Sequence, residues 1–160
     1  MLRVPPCLWS ESVAAEVLVF LFLGPRILRA FTPTVALAVA AFCGLVRWAV
    51  MAQTVDVAAL ALVQPLHGFT FALLYLASMR IIADTVPRPL AATAQAVYGL
   101  VGVGGATALL MLLSGWLYAH FGPAGFWAMG ALCVAAFPVI WLLHRVLSLG
   151  RPRENSLSHR

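Results

Sequence analysis

The sequence predicts an all-α membrane protein, and three observations carry that prediction. Hydrophobic residues make up 63% of the 160-residue chain and charged residues only 9%, against about a quarter charged in a soluble domain. Mean hydropathy is +0.99. The apolar residues gather into runs of about 20, the length a helix needs to cross the hydrocarbon core. Five transmembrane helices are expected, over 7–23, 34–52, 58–82, 93–118 and 123–146. Residues 1–147 then form a bundle, and the polar stretch 148–160 is expected to be a disordered tail.

The first run is interrupted by Glu11 and Glu16 and preceded by a lone Arg3 and Pro5-Pro6, which argues against a cleaved signal peptide. It ends at GPRILRAFTP. The second carries Arg47 inside CGLVRWAVM and closes at QTVDV. The third, LVQPLHGFTFALLYLASMRIIAD, holds Pro65 and His67, and its connection is ADTVPRPLAA. The fourth contains GLVGVGGA from Gly99 to Ala106. That run lies in an apolar span with no strand before it and fits neither GxGxxG nor a P-loop. With Gly115, its small residues are expected to let helices approach closely. The fifth follows HFGP and holds Pro138. Pro33, Pro87, Pro89 and Pro123 mark boundaries, whereas Pro65 and Pro138 are expected to kink their helices.

Charge sets the orientation. Arg26 and Arg29 fall in one connection, Arg80 and Arg88 flank another, and Arg145, Arg151, Arg153 and Arg160 follow the last span. The other two connections have no arginine. The positive-inside rule places the arginine-bearing regions and the C-terminus in the cytoplasm of a multi-pass inner-membrane protein. Trp9, Trp48, Trp116 and Trp127 fall near the opposite interface. An odd number of spans then puts the N-terminus outside, and a preceding helix is expected. The net charge of +5 does not indicate nucleic acid: there is no lysine, and most of the arginines bound apolar runs. Cys7, Cys43 and Cys133 are far apart and read as small residues in apolar surroundings. No cofactor or metal is expected.

Glu16, Arg47 and His67 stand inside spans, where an ionisable residue points to function. At about 1.5 Å per residue, Glu16 and His67 each lie about nine residues from the outer end of their spans. Arg47 lies about five residues in, and its long side chain reaches further. All three can meet in one layer. Gln64, His67, Thr70 or Phe71, Tyr75 and Ser78 recur at intervals of three and four, so they share a helix face. Trp9, Ser12 and Glu16 do the same. Ser12, Gln64, Thr70 and Tyr75 are expected to line a cavity. No nucleophile or metal set accompanies Glu16 and His67, so an enzyme is not expected. His120 and His144 read as interfacial.

The segments LWSESVAAEVLVF, CGLVRWAVM, LVQPLHGFTFALLYLASMRIIAD and QAVYGLVGVGGATALLMLLSGWLYAHFG resemble, in order, the eighth to eleventh helices of the major facilitator superfamily, with a twelfth after them. The resemblance covers residues 8 to about 140. It falls in the lactose permease-like branch, nearest to phenylpropionic acid and nucleoside:proton symporter-like members. It implies a partial C-terminal half of a transporter whose partners are the lipid bilayer, a small solute, a proton and an N-terminal half. It also implies that Glu16, Arg47 and His67 match the carboxylate, arginine and histidine of a proton and substrate network. Two positions depart: Thr70 stands where lactose permease has a glutamate, and small residues around Ala106 replace a lysine. Glu16 is then the one deep carboxylate left to carry a proton. The implied function is proton-coupled symport of an aromatic acid, a nucleoside or a sugar by alternating access. The alternative is a truncated, non-transporting or accessory membrane protein.

The orientation has a direct test. In a cysteine-free background, Asp56→Cys is expected to label strongly from outside the cell and Ser156→Cys not at all. The reverse pattern overturns the topology.

Overall fold

The computed structural model describes residues 13–149, and every regular element among them is helical. Helix α1 is under way at residue 13 and runs to 30. It passes through one π turn, Val19–Leu23, into Gly24–Ala30. Helix α2 is Pro33–Gln53. Helix α3 covers Val57–Thr85 with a turn at Gln64 between Val57–Val63 and Pro65–Thr85. Helix α4 spans residues 88–121, with a π segment, Tyr98–Gly105, in its middle. A 3₁₀ turn, Gly122–Phe126, leads into α5, Trp127–Leu149.

Proline fixes most of these starts. Pro25, Pro33, Pro65 and Pro89 all sit in the first turn of their segments, where a missing N–H costs no hydrogen bond. Pro65 therefore follows a break at Gln64. Pro138 lies within α5, which continues through it. Asp56 caps α3, its carboxylate accepting from the Ala59 N–H at 2.9 Å, as an N-cap residue should.

Three stretches are long and apolar enough to cross a membrane by length and composition: Pro33–Gln53, Val57–Thr85 and Arg88–Leu149. The expected spans 34–52 and 58–82 match the first two. Those over 93–118 and 123–146 both fall within the third. There the chain reverses at Gly122, whose φ of 59° suits glycine, and Gly125 lies against the Leu117 backbone. The span 7–23 begins outside the described residues. The connections are shorter than expected. Helix continues to Ala30 where residues 24–33 read as a loop, because the π turn before Pro25 widens the helix where the ring must fit. Likewise only Val86 and Pro87 separate α3 from α4.

Helix α2 is the centre of the packing. Val19, Ala40, Ala72 and Leu73 form one buried cluster, closing α1, α2 and α3 together. Ala36, Leu37 and Ala77 form a second, against which Ile140 and Leu143 of α5 pack. Alanines at these contacts let the backbones approach, since close van der Waals packing is what holds helices together in lipid. Helix α4 differs. It touches α3 at its start and the 3₁₀ turn at its end, and none of its residues is buried. The close packing expected of its glycines is not met among the described residues. A Cβ at Gly99 or Gly115 would meet nothing within 4 Å, and the glycine-rich run widens into π turns instead.

Where the start of α2 meets the end of α5, the buried Thr34 (4% exposed) is hydrogen-bonded through Oγ1 to His144 Nδ1 at 2.9 Å. Thr34→Val is expected to destabilise the protein by about 1 kcal/mol, the usual size of an interhelical hydrogen bond in a membrane. His144→Ala should cost a similar amount and the double variant little more. A reversible unfolding titration in lipid checks this, and additive losses would show that the pair is not coupled.

Candidate functional site

The site is built where α1 crosses α3. Gly68 is buried, and a Cβ placed on it would come within 2.7 Å of the Ala15 carbonyl carbon and the Glu16 backbone nitrogen. That gap is too small for any side chain, so a glycine at this position is what lets the two backbones touch. The contact sets Glu16 beside the turn that carries His67. The His67 imidazole lies within electrostatic reach of both Glu16 and Arg47. All three side chains are half-buried.

Arg47 approaches from α2. Its Nη2 donates to Gln64 Oε1 at 3.4 Å, a long bond near the limit of the interaction. Its guanidinium carbon sits 4.8 Å from the centre of the Trp48 ring, and Trp48 stacks on Phe126 at 5.5 Å. Its Nε is buried with no hydrogen-bond partner among the described residues. A guanidinium has five donors in a fixed fork, and leaving a buried one unmet is costly. A carboxylate is the group whose geometry matches such a fork.

The expected residues separate in role. Glu16 and His67 lie at the α1–α3 crossing, and Arg47 is bonded to Gln64, one turn before His67. Thr70 is turned elsewhere: its hydroxyl donates to the His67 carbonyl at 2.8 Å, and its methyl packs near Gly44 of α2. Tyr75 is 40% exposed and lies among aromatic rings. Ser12 lies outside the described residues. Sequence reasoning missed Phe20, Tyr98 and Gly68, and left Phe71 as an alternative to Thr70. The spacing of four from His67 through Phe71 to Tyr75 was the available signal for an aromatic face. Nothing in one sequence announces a contact between backbones. A shallow, open groove of about 500 Å³ lies at the elbow of α3 and α4, lined by Val86, Leu90, Thr93, Ala94, Val97 and Tyr98. It holds none of the ionisable residues, so the crossing at Gly68 is the better site.

Helices of this length and apolarity, packed through alanines, define a multi-pass membrane protein. Residues 5–129 match the MFS_1 like family, and the chain belongs to that family, within the major facilitator superfamily. It is 36% identical over 140 residues to a probable 3-phenylpropionic acid transporter of Escherichia coli (strain K12). That alignment covers 88% of this chain and 36% of the relative, so the chain spans about a third of that protein's length. No solved structure matches the chain. The resemblance read from the residues is thus upheld, and the family is one of transporters rather than of enzymes.

The crossing makes Gly68 the position least tolerant of change. Gly68→Ala is expected to destabilise the protein by about 1–3 kcal/mol, the usual cost of overpacking, because backbone must move. Gly24→Ala should cost less, since its foremost neighbour is the movable Leu76 side chain. Thermal unfolding in lipid compares the two, and equal tolerance would argue against the backbone contact.

Proposed function

We propose that this chain forms the solute- and proton-handling part of a secondary transporter, a symporter that carries a small organic acid with a proton by alternating access. What supports this reading is that Glu16 and His67 lie at one crossing, with Arg47 bonded to Gln64 one turn before His67. The likeness to the probable 3-phenylpropionic acid transporter of Escherichia coli favours an aromatic acid over a sugar or a nucleoside. In this reading the chain makes five crossings of the inner membrane with its C-terminus in the cytoplasm. It rocks against a further helical half around a site near the midplane.

The chemistry is that of a charge that can be removed. A carboxylate at such depth costs about 2.5–3.5 kcal/mol on an insertion scale, and protonation of Glu16 lifts that cost while the carrier reorients. Arg47 holds the carboxylate of the solute in its guanidinium fork. His67, between the two, bonds either Glu16 or the solute and so couples the occupancy of one site to that of the other.

Glu16→Gln keeps shape and one acceptor but cannot change charge. Exchange needs only the loaded carrier to reorient, so it is expected to persist at least in part. Concentrative uptake needs the empty carrier to release its proton and return, so it is expected to stop. Counterflow and energised uptake of 3-phenylpropionate in membrane vesicles separate the two. If Glu16→Gln still accumulates solute against a gradient, Glu16 is not the coupling residue.

A further inference from the structure

Five aromatic rings run in sequence away from the ionisable group. His67 stacks on Phe71 with ring centres 6.1 Å apart. Phe71 meets Phe20 edge to face at 6.5 Å, Phe20 meets Tyr75 at 5.8 Å, and Tyr75 meets Tyr98 of α4 at 6.4 Å. The order follows from helix geometry. On α1, Phe20 stands one turn beyond Glu16, and on α3, Phe71 and Tyr75 stand one and two turns beyond His67, so each helix carries its ionisable residue and its rings on one face. The Gly68 contact then brings the two faces together. Phe71 and Tyr75 remain 38% and 40% exposed, so the rings form an open wall rather than a closed core.

We propose that Phe71, Tyr75 and Tyr98, backed by Phe20, hold the aromatic ring of the transported acid while its carboxylate lies at Arg47 and His67. This rests on the transport reading above and extends it to the residues that set substrate choice. The dimensions agree. At about 1.5 Å per carbon–carbon bond, a two-carbon side chain holds its carboxylate about 5 Å from the centre of its ring, close to the 6.1 Å between the His67 and Phe71 rings. A ring placed on Phe71 therefore puts the carboxylate beside the imidazole and toward the guanidinium. Aromatic rings favour edge-to-face and offset contacts over contact with a saturated ring of the same size. The wall thus selects aryl acids, whereas Arg47 attracts any monocarboxylate.

The test compares two acids of equal length and charge, 3-phenylpropionate and 3-cyclohexylpropionate. Equilibrium binding and uptake are both measured on native membrane vesicles containing the protein made from its own gene. Phe71→Leu and Tyr98→Leu are each expected to weaken binding of the phenyl acid about 3- to 10-fold, the range of one aromatic pair, with the cyclohexyl acid changed less than about 2-fold. Phe71→Tyr is expected to keep the preference. Because Tyr98 lies outside the α1–α3 contact, it remains informative if Phe71→Leu disturbs that packing. Equal loss for both acids, a preference unchanged in both leucine variants, or no binding of either acid overturns the proposal. Uptake reports on the transport reading separately. Accumulation without ring preference sinks the aromatic wall and leaves transport standing. Ring-selective binding without uptake does the opposite.

Discussion

The contact of Gly68 with the backbone at Ala15 and Glu16 is the constraint on which the rest of the site depends. In lipid, helices gain nothing from hiding apolar surface, because the surroundings are as apolar as they are. What remains is close packing and the satisfaction of polar groups. A glycine at the crossing gives the first by letting two backbones touch. It also dictates the second, since it decides which residues face each other one turn to either side. Glu16 next to His67, and Phe20 against Phe71 and Tyr75, both follow from that single point.

Arg47 shows why the crossing needs a third helix. The α1–α3 crossing brings the Glu16 backbone beside the turn that carries His67, with no fixed positive charge of its own. The cation comes from α2, which packs through Ala40 against α1 and α3 and through Ala36 and Leu37 against α5. Its guanidinium is held partway, by one long bond to Gln64 and by the Trp48 face. A fully satisfied arginine would be a structural brace. Here one buried N–H is unmet among the described residues.

Much of this was legible in the sequence because the membrane imposes simple rules. Apolar run lengths located α2 to within one residue at each end and α3 to within three, and the rarity of charge inside runs picked out Glu16, Arg47 and His67. The boundaries that failed did so for local reasons. A π turn before Pro25 carries α1 on to Ala30, and Pro87 and Pro89 leave almost no loop before α4. Thr70 turns its hydroxyl to the carbonyl a turn behind, as a threonine in a helix can, and presents its methyl to its neighbour. Phe20 and Tyr98 escaped notice because they are apolar or amphipathic residues in apolar runs, and only their arrangement sets them apart. The α4 glycines Gly99 and Gly115 make no close approach among the described residues: small residues permit one but do not require it.

The way α4 is attached divides the molecule mechanically. Helices α1, α2, α3 and α5 share the two buried clusters and the Thr34–His144 bond, so they form one stiff block. Among the described residues, helix α4 meets that block mainly at its two ends and through the Tyr75–Tyr98 ring contact, with widened, glycine-rich turns between. Glu16, Arg47, His67, Phe71 and Tyr75 all ride on the block, and Tyr98 alone rides on the arm. Any bowing of the arm would therefore leave the charged group undisturbed and shift one ring of the wall. Fit to the far edge of a solute is thus mechanically independent of the grip on its charge.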